Sequence, residues 1–271
     1  MSEPETVSHL PAPRRVAVVT GASSGIGEAT ARELANRGWL CVLVARREDK
    51  LKALADEIGA EIEVCDLGDR AAVVAMAGRV LDRHPAIELL VNNAGMAARG
   101  TFLDVDLDLV EQVMRVNYFG GVCVTQALLP GLRAAATGAA GSAHIVNLVS
   151  VAGTISFAPA GAYAASKHAQ LAFSRSLAAA LRGSGIHVHS VLPGFVETEG
   201  FPQLNVLKSR LMRRFVIHPP RVAQAIVGAV EKGRGEVVVP WFPYRLVGIL
   251  QAVAPGLVGR FVGMSDYRSG V

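Results

Sequence analysis

The sequence predicts a single α/β domain built on a doubly wound, parallel, seven-stranded sheet. Seven short runs rich in Val, Ile and Leu alternate with Ala- and Leu-rich stretches along the 271 residues. Several of these runs are apolar without interruption, which is typical of parallel strands covered on both faces. No linker, internal repeat or shift in composition divides the chain. The alternation therefore indicates one Rossmann-like sheet with right-handed crossovers.

Each predicted strand is a short β-branched run, and the runs lie at 15–20, 40–45, 61–65, 87–92, 144–150, 186–192 and 236–240. Helices are expected between them, at 25–37, 48–57, 70–83, 106–135, 162–182 and 219–232. Asp106 is a favourable N-cap residue, and Pro219 and Pro220 suit the first turn of a helix. Residues 195–217 show no clear strand or helix, and residues 241–262 are an apolar stretch after the last strand.

Composition narrows the function classes. The net charge is +4 and the pI about 9.2, but the basic residues are scattered. This is not the footprint of a nucleic-acid-binding protein. Cys41, Cys65 and Cys123 each lie in an apolar run without metal-ligand spacing. They indicate reduced, buried thiols in a cytoplasmic compartment, and we predict no metal site.

The two ends of the chain lie outside the predicted domain, which covers residues 14–240. Residues 1–13 are polar, lack the apolar stretch of a secretory signal, and are expected to form a flexible tail. The C-terminal extension, 241–271, contains an apolar stretch that is interrupted at Pro255–Gly256 and is too short to span a bilayer. Three alternatives stay open for it: closing the substrate pocket, packing on a partner subunit, or a weak peripheral membrane contact through 241–262.

A glycine-rich loop, "TGASSGIGEA", follows the first predicted strand and opens the first helix. Gly21, Gly25 and Gly27 would let the backbone approach a pyrophosphate, and the helix N-terminus supplies free N–H groups. The position of the loop predicts a dinucleotide site, with a tight turn that binds nothing as the alternative. Its spacing, Gly-x-x-x-Gly-x-Gly, differs from the Gly-x-Gly-x-x-Gly fingerprint.

Five short motifs follow one another in a fixed order. They are "TGASSGIG" (20–27), "NNAG" (92–95), Asn117 in "RVNYFG", Ser150 in "VNLVS" and "YAASK" (163–167). Pro193–Gly194 followed by Thr198 continues the pattern. Together they resemble the short-chain dehydrogenase/reductase family, in its short single-domain branch, over about residues 14–240. The resemblance implies an oxidoreductase that uses a nicotinamide cofactor to interconvert a ketone or aldehyde and an alcohol.

Tyr163 and Lys167 are four residues apart, so both leave the same face of a predicted helix. The pKa of a free phenol is about 10, and a nearby ammonium would lower it by favouring the phenolate. The resemblance implies that Tyr163 is the general acid/base and that Lys167 also binds the nicotinamide ribose. It implies that Ser150 orients the substrate oxygen and that Asn117 relays a proton through water. The alternatives are a half-buried tyrosine beside a solvated lysine, a simple turn at Ser150 and a helix kink at Asn117.

The second predicted strand ends in "ARRED", where NAD-binding sites carry an acidic residue for the ribose hydroxyls. Arg46 or Arg47 could instead pair with a 2′-phosphate, so we predict NADP(H) over NAD(H); the alternative is a solvated Arg46. The resemblance implies that Asp66 binds the adenine, with a helix N-cap as the alternative role. The predicted cofactor-binding residues are Gly21, Ser23, Ser24, Gly25, Ile26, Gly27, Arg46, Arg47, Asp66, Leu67, Asn93, Ala94, Gly95, Tyr163, Lys167, Pro193, Gly194 and Thr198.

The resemblance places a lid over the substrate at residues 195–217, with Thr198 on the nicotinamide carboxamide. The segment is largely apolar and contains four basic residues, which predicts a lipophilic substrate such as a 3-oxoacyl or steroid-like ketone; alternatively, the basic residues face solvent. Its apolar residues are Phe195, Phe201, Leu204, Val206, Leu207, Leu211, Met212 and Phe215, and its basic residues are Lys208, Arg210, Arg213 and Arg214.

Two other functions and an assembly state follow from the same resemblance. A non-catalytic NADP(H)-binding sensor would tend to lack Tyr163 or Lys167, and both are present. A sugar epimerase would carry a larger C-terminal substrate region. The helices at 106–135 and 162–182 resemble the surfaces through which the family forms homodimers or homotetramers.

Overall fold

The computed structural model describes residues 14–156, 160–199 and 212–264. The expected tail at 1–13 lies outside the described residues, as do most of the predicted lid and the last residues of the extension. The predictions for Phe201, Leu204, Val206, Leu207, Lys208, Arg210 and Leu211 fall there.

Seven parallel strands form one sheet. They are β1 (Val16–Thr20), β2 (Leu40–Ala45), β3 (Glu61–Val64), β4 (Leu89–Asn92), β5 (Ala143–Leu148), β6 (Ile186–Pro193) and β7 (Glu236–Val239). Their order is β3-β2-β1-β4-β5-β6-β7, which confirms the predicted doubly wound sheet. The winding reverses between β1 and β4, where open α/β sheets bind their ligands.

Helices cover both faces of the sheet. They are α1 (Gly25–Asn36), α2 (Glu48–Ile58), α3 (Arg70–Arg83), α4 (Leu107–Met114), α5 (Gly121–Thr137), α6 (Gly161–Ala180), α7 (Pro219–Glu231), α8 (Tyr244–Val253) and α9 (Pro255–Met264). Asp106 caps α4 by accepting a hydrogen bond from the Asp108 N–H at 3.0 Å. Pro219 and Pro220 open α7, as predicted.

Two apolar layers form the core, one on each face of the sheet. Successive residues of β1 point to opposite faces, so Val19 packs in the layer with α1, α2 and α7, whereas Val18 packs in the layer with α3 and α5. Both side chains are fully buried. The uninterrupted apolar runs are thus explained, because every position of the central strands is covered by a helix.

The helix predicted over 106–135 is present from Leu107 to Thr137, but its middle part is π-helical, which was not predicted. The structure has α4, then a π-helical segment (Arg115–Gly120), then α5. Asn117 lies in the π-helical segment, and its amide pairs with the backbone of Met96: the Met96 N–H donates to Oδ1 at 2.7 Å and Nδ2 donates to the Met96 carbonyl at 3.0 Å. A side chain that bonds to backbone elsewhere competes with a regular helix, and π segments often mark such sites.

The extension after β7 is helical, which the sequence interpretation did not predict. Tyr244 at the start of α8 is buried, whereas Ile249 and Val253 on the same helix are 51% and 80% exposed. Proline at position 255 separates α8 from α9. Within the described ranges, no helix combines the length and hydropathy that a membrane crossing would require.

Candidate active site

The five motifs come together at one edge of the sheet. The glycine loop follows β1, Asn93 to Gly95 follow β4, and Ser150 follows β5. Pro193 ends β6. Because all the strands are parallel, their carboxyl ends share this edge, and residues distant in sequence become neighbours.

The glycine loop is packed against the residues after β4. Gly21 and Gly25 have φ of 66° and 61°, a backbone conformation that favours glycine. At Gly27, a Cβ atom would lie 2.3 Å from the Gly21 carbonyl oxygen and 2.4 Å from Asn93 Nδ2. No side chain fits at this position without moving the loop.

Thr20 and Asn93 join the loop to the end of β4. The Thr20 hydroxyl donates to the Val91 carbonyl at 3.1 Å and accepts the N–H groups of Asn93 and Ala94 at 3.0 and 3.1 Å. Asn93 Nδ2 in turn donates to the Thr20 carbonyl at 2.8 Å. The predicted binding residues Asn93 and Ala94 therefore hold the loop in place.

Arg47 lies across the glycine loop, while Arg46 is exposed to solvent. Arg47 Nη2 donates to Ser24 Oγ at 2.6 Å and to Ser23 Oγ at 3.1 Å. Ser24 is the N-cap residue of α1, but its side chain caps no backbone N–H. The structure thus brings three of the predicted residues together as donors beside a helix N-terminus, which suits a phosphate group.

Asp66 lies at the same edge but does not cap a helix. Its Oδ1 accepts the Gly68 N–H at 2.9 Å, and Asp69 is the N-cap of α3, accepting from the Ala71 N–H at 2.8 Å. The N-cap alternative for Asp66 is therefore wrong, and its exposed carboxylate stays available for an adenine. The Leu67 side chain is buried in the core beside it.

Tyr163 and Lys167 lie one turn apart on α6. Lys167 Nζ is 5.8 Å from the centre of the Tyr163 ring. Lys167 is 3% exposed, and Nζ donates to the Leu148 carbonyl at 2.9 Å and to Gln170 Oε1 at 2.8 Å. Ser150 lies close enough to Tyr163 for its hydroxyl to act on the pKa of the phenol, and it accepts the Ala152 N–H at 3.1 Å. Ser150 is thus both a turn cap and a neighbour of Tyr163.

Burial shifts the pKa of both groups toward their neutral forms. It raises the pKa of Tyr163 to about 12, although the hydrogen bond with Ser150 works in the opposite direction. Burial also lowers the pKa of Lys167 to about 7. The predicted lowering of the Tyr163 pKa by Lys167 is therefore wrong for the protein alone, because desolvation of the phenolate outweighs the effect of an ammonium that is directed at Leu148 and Gln170.

Asn117 lies next to Gly95 and close to Lys167. A Cβ atom at Gly95 would be 3.3 Å from Asn117 Oδ1 and 3.7 Å from Lys167 Nζ, so only glycine leaves this space open. Asn117 Nδ2 also donates to Ser166 Oγ at 3.0 Å. Its hydrogen bonds to the backbone of Met96 fit the alternative to a proton relay, in which Asn117 has a structural role, and the relay stays a prediction.

The segment after β6 lies over the loop and is held by the extension. Thr198 packs on Gly25, with Cγ2 3.2 Å from the position of a Cβ atom there. The Tyr244 ring covers Gly194, and its hydroxyl accepts the Phe195 N–H at 3.4 Å and donates to the Phe215 carbonyl at 3.3 Å. Tyr244 was not predicted as a site residue. The sequence showed only that it lies in an apolar stretch, for which closing the substrate pocket was one of three alternatives.

Two apolar clusters lie in this region, one that includes Val151, the residue after Ser150, and one against which Tyr163 packs. One cluster contains Val151, Ile155 and Tyr244, with Phe195 and Phe215 packed against them. The other contains Ala98, Val113 and Ala162, and Tyr163 packs against it. Among residues 14–156, 160–199 and 212–264, no three His, Cys, Asp or Glu side chains are placed so that they could hold a metal ion.

Comparison with known proteins agrees with this geometry. The family model described as short chain dehydrogenase matches residues 15–206. The chain is similar to dehydrogenase/reductase SDR family member 7B from Bos taurus, with 33% identity over 266 residues covering 91% of this chain and 80% of that protein. The member 7B of Danio rerio is 37% identical over 195 residues, which are 68% of this chain and 62% of that protein.

Two solved structures share the fold. A short-chain dehydrogenase/reductase from Burkholderia phymatum in complex with NAD has a TM-score of 0.78 and 28% identity, and the match covers 90% of this chain and 95% of that one. A variant of actinorhodin polyketide ketoreductase with NADPH has a TM-score of 0.75 and 28% identity, covering 83% of this chain and 95% of that one. These neighbours bind different nicotinamide cofactors, so similarity alone does not select one.

Proposed function

The chain belongs to the short-chain dehydrogenase/reductase family, and on that basis we propose that it is an NADP(H)-dependent enzyme that interconverts a lipophilic ketone or aldehyde and its alcohol. The observation that carries the proposal is the arrangement of Ser150, Tyr163 and Lys167 at the carboxyl edge of the sheet. The Ser150 hydroxyl lies near the Tyr163 phenol, and the buried amine of Lys167 follows one helical turn later, 5.8 Å from the centre of the Tyr163 ring.

Arg47 supports the choice of NADP(H). Its guanidinium is held over the loop by Ser23 and Ser24, in the place where an acidic residue would otherwise bind the ribose of NAD(H). An arginine fork pairs well with phosphate oxygens. The loop glycines leave room for the pyrophosphate, and the bound dinucleotide would supply the hydride.

Tyr163 is the proposed proton donor in carbonyl reduction. Because its pKa is raised to about 12, it keeps its proton at neutral pH and can give it to the carbonyl oxygen as the carbon accepts a hydride. The Ser150 hydroxyl would hold the same oxygen from the other side. Lys167, with a pKa of about 7, would stabilise the phenolate that remains, and Asn117 would return a proton through water.

The apolar cluster against which Tyr163 packs and the cluster that includes Val151, next to Ser150, support a lipophilic substrate of the 3-oxoacyl or steroid-like type. The similarity to a polyketide ketoreductase favours an acyl ketone. We further propose a cytoplasmic homodimer or homotetramer. In its support, apolar side chains such as Phe119 in the π-helical segment and Val253 on α8 are largely exposed. A weak membrane contact through 241–262 is the alternative use of α8.

The test follows NADPH absorbance with a panel of 3-oxoacyl thioesters, steroid ketones and small polar ketones. We expect Tyr163→Phe to lower kcat by about 10²–10⁴-fold while NADPH still binds. The matched control is Tyr118→Phe, which removes the hydroxyl of a tyrosine that packs on Phe119 and Phe173; it should retain activity.

Four results would contradict parts of the proposal. A fully active Tyr163→Phe enzyme would remove the assigned proton donor. A clear preference for NADH would reject the cofactor. Turnover of polar ketones only would reject the lipophilic substrate, and binding of NADPH with no turnover across the panel would favour a sensor.

A further inference from the structure

A carboxylate from the segment after β6 lies between two cations at the proposed phosphate site. Glu199 Oε1 accepts hydrogen bonds from Arg47 Nη1 at 3.0 Å and Lys50 Nζ at 2.9 Å, and Oε2 accepts from Lys50 Nζ at 2.8 Å. The other nitrogens of Arg47 bind Ser23 and Ser24. Two cations therefore bind an anion that belongs to the chain itself, and two hydroxyls hold one of those cations.

The 2′-phosphate of NADP(H) would call on the same donors. Carboxylate and phosphate oxygens both accept from the arginine fork and from a lysine ammonium. If Arg47 and Lys50 bound the Glu199 carboxylate and the 2′-phosphate at the same time, these two negative charges would lie side by side and repel each other. The neighbouring cations hold the pKa of Glu199 below its ordinary value, so it is ionised at neutral pH.

We propose that Glu199 is a specificity-determining residue that competes with the 2′-phosphate for Arg47 and Lys50. The inference rests on the proposed use of NADP(H). When NADP(H) binds, Glu199 leaves the two cations, whereas it keeps them when NAD(H) binds. Glu199 therefore makes the preference for the phosphorylated cofactor smaller than Arg47 and Lys50 alone would give.

The position of Glu199 also links the phosphate site to the substrate side of the cleft. Thr198, the preceding residue, packs on Gly25. Val196 forms a parallel bridge with Ile217, and the Glu197 N–H donates to the Ile217 carbonyl at 3.1 Å. Displacing Glu199 acts on a segment that is anchored at both the glycine loop and the end of the predicted lid.

Two nucleotides that lack the nicotinamide isolate the effect from catalysis. The full chain is titrated calorimetrically with 2′,5′-ADP, which carries the 2′-phosphate, and with 5′-AMP, which does not. We expect Glu199→Gln to bind 2′,5′-ADP about 3- to 10-fold more tightly and 5′-AMP within about 2-fold of the original affinity. Breaking one exposed ion pair changes an equilibrium constant by at most about 5-fold, and Glu199→Gln removes two such pairs, one with Arg47 and one with Lys50.

The matched control is Glu48→Gln on α2, which removes the same charge from a carboxylate that pairs with Lys52 at 2.6 Å. It should change neither affinity by more than about 2-fold. In an Arg47→Gln background, the gain from Glu199→Gln should fall below about 2-fold, because one of the contested cations is gone.

The outcomes separate this inference from the proposed function. The competition proposal is overturned if Glu199→Gln does not tighten 2′,5′-ADP, if it tightens both nucleotides equally, or if Glu48→Gln tightens 2′,5′-ADP by as much. If the unaltered protein binds NADPH no more tightly than NADH while Glu199→Gln still gains affinity for 2′,5′-ADP, the competition stands and the proposed cofactor preference fails.

Discussion

Gly27 is the loop position where a single added methyl group is expected to disturb the site most. Its Cβ atom would lie 2.3 Å from the Gly21 carbonyl oxygen and 2.4 Å from Asn93 Nδ2. Neither neighbour is free to yield: the Gly21 N–H donates to the Val44 carbonyl at 2.7 Å, and Asn93 Nδ2 donates to the Thr20 carbonyl at 2.8 Å. In Gly27→Ala the loop, the start of α1 or both must shift.

The size of the effect follows from these contacts. Overpacking a filled site costs about 1–3 kcal/mol, and loss of an Asn93 hydrogen bond adds about 1 kcal/mol. The sum, about 2–4 kcal/mol, corresponds to a fall in Tm of roughly 4–16 °C for a domain of this size class. The control is Gly78→Ala on α3, where a Cβ atom would have no neighbour within 4 Å. Alanine is favoured over glycine in a helix by about 0.5–1 kcal/mol, so its Tm should rise slightly.

The assay is thermal unfolding followed by circular dichroism, together with NADPH titration of both variants. We expect Gly27→Ala to lose at least about 10-fold in NADPH affinity, because its displaced loop no longer presents the N–H groups of α1. Gly78→Ala should bind normally. A Gly27→Ala protein that melts within about 1 °C of the original and binds NADPH equally well would refute the packing argument given above.

Two further predictions concern buried polar groups. Gln170→Leu removes one of the two acceptors of the Lys167 ammonium, so we expect the alkaline limb of the kcat–pH profile to move to lower pH. Gln170→Glu places a negative charge there and should move the same limb to higher pH. Identical shifts in both variants would count against this role. Burial, with smaller effects from His189 and His187, lowers the pKa of His144 from 6.5 to about 4. As the pH falls, the unfolded chain therefore binds a proton at His144 before the folded protein does, and stability present above pH 6.5 should be lost toward pH 4. We expect the Tm to fall over this range, and to fall less steeply in His144→Asn. An unchanged dependence of Tm on pH in that variant would contradict the assignment.

Much of the site could be predicted because parallel strands place their carboxyl ends at one edge. Once the alternation of strands and helices is recognised, the glycine loop, Asn93, Ser150 and Tyr163 must meet there. The π-helical segment within the helix over 106–135 could not be predicted in the same way. It depends on hydrogen bonds between Asn117 and Met96, which are 21 residues apart and become neighbours only in the folded chain.

The residues that sequence reasoning missed differ in how far away their partners lie. Glu199 pairs with Arg47 across 152 residues, so no local pattern points to it. Gln170 follows Lys167 by three residues on the same helix, and helical spacing alone places the two side chains together. The helical spacing that identified Tyr163 and Lys167 could therefore also have identified Gln170.

The protonated state of Tyr163 suits its proposed role as the proton donor in carbonyl reduction. Reduction needs a proton on Tyr163, and a pKa of about 12 keeps that proton in place. Oxidation needs the phenolate to accept a proton from the alcohol, and burial opposes that form. Lys167 offsets this only in its charged form, which with a pKa of about 7 it holds about half of the time at neutral pH. Formation of the phenolate would itself raise the pKa of Lys167. The charged forms of Tyr163 and Lys167 therefore stabilise each other only once proton transfer has begun.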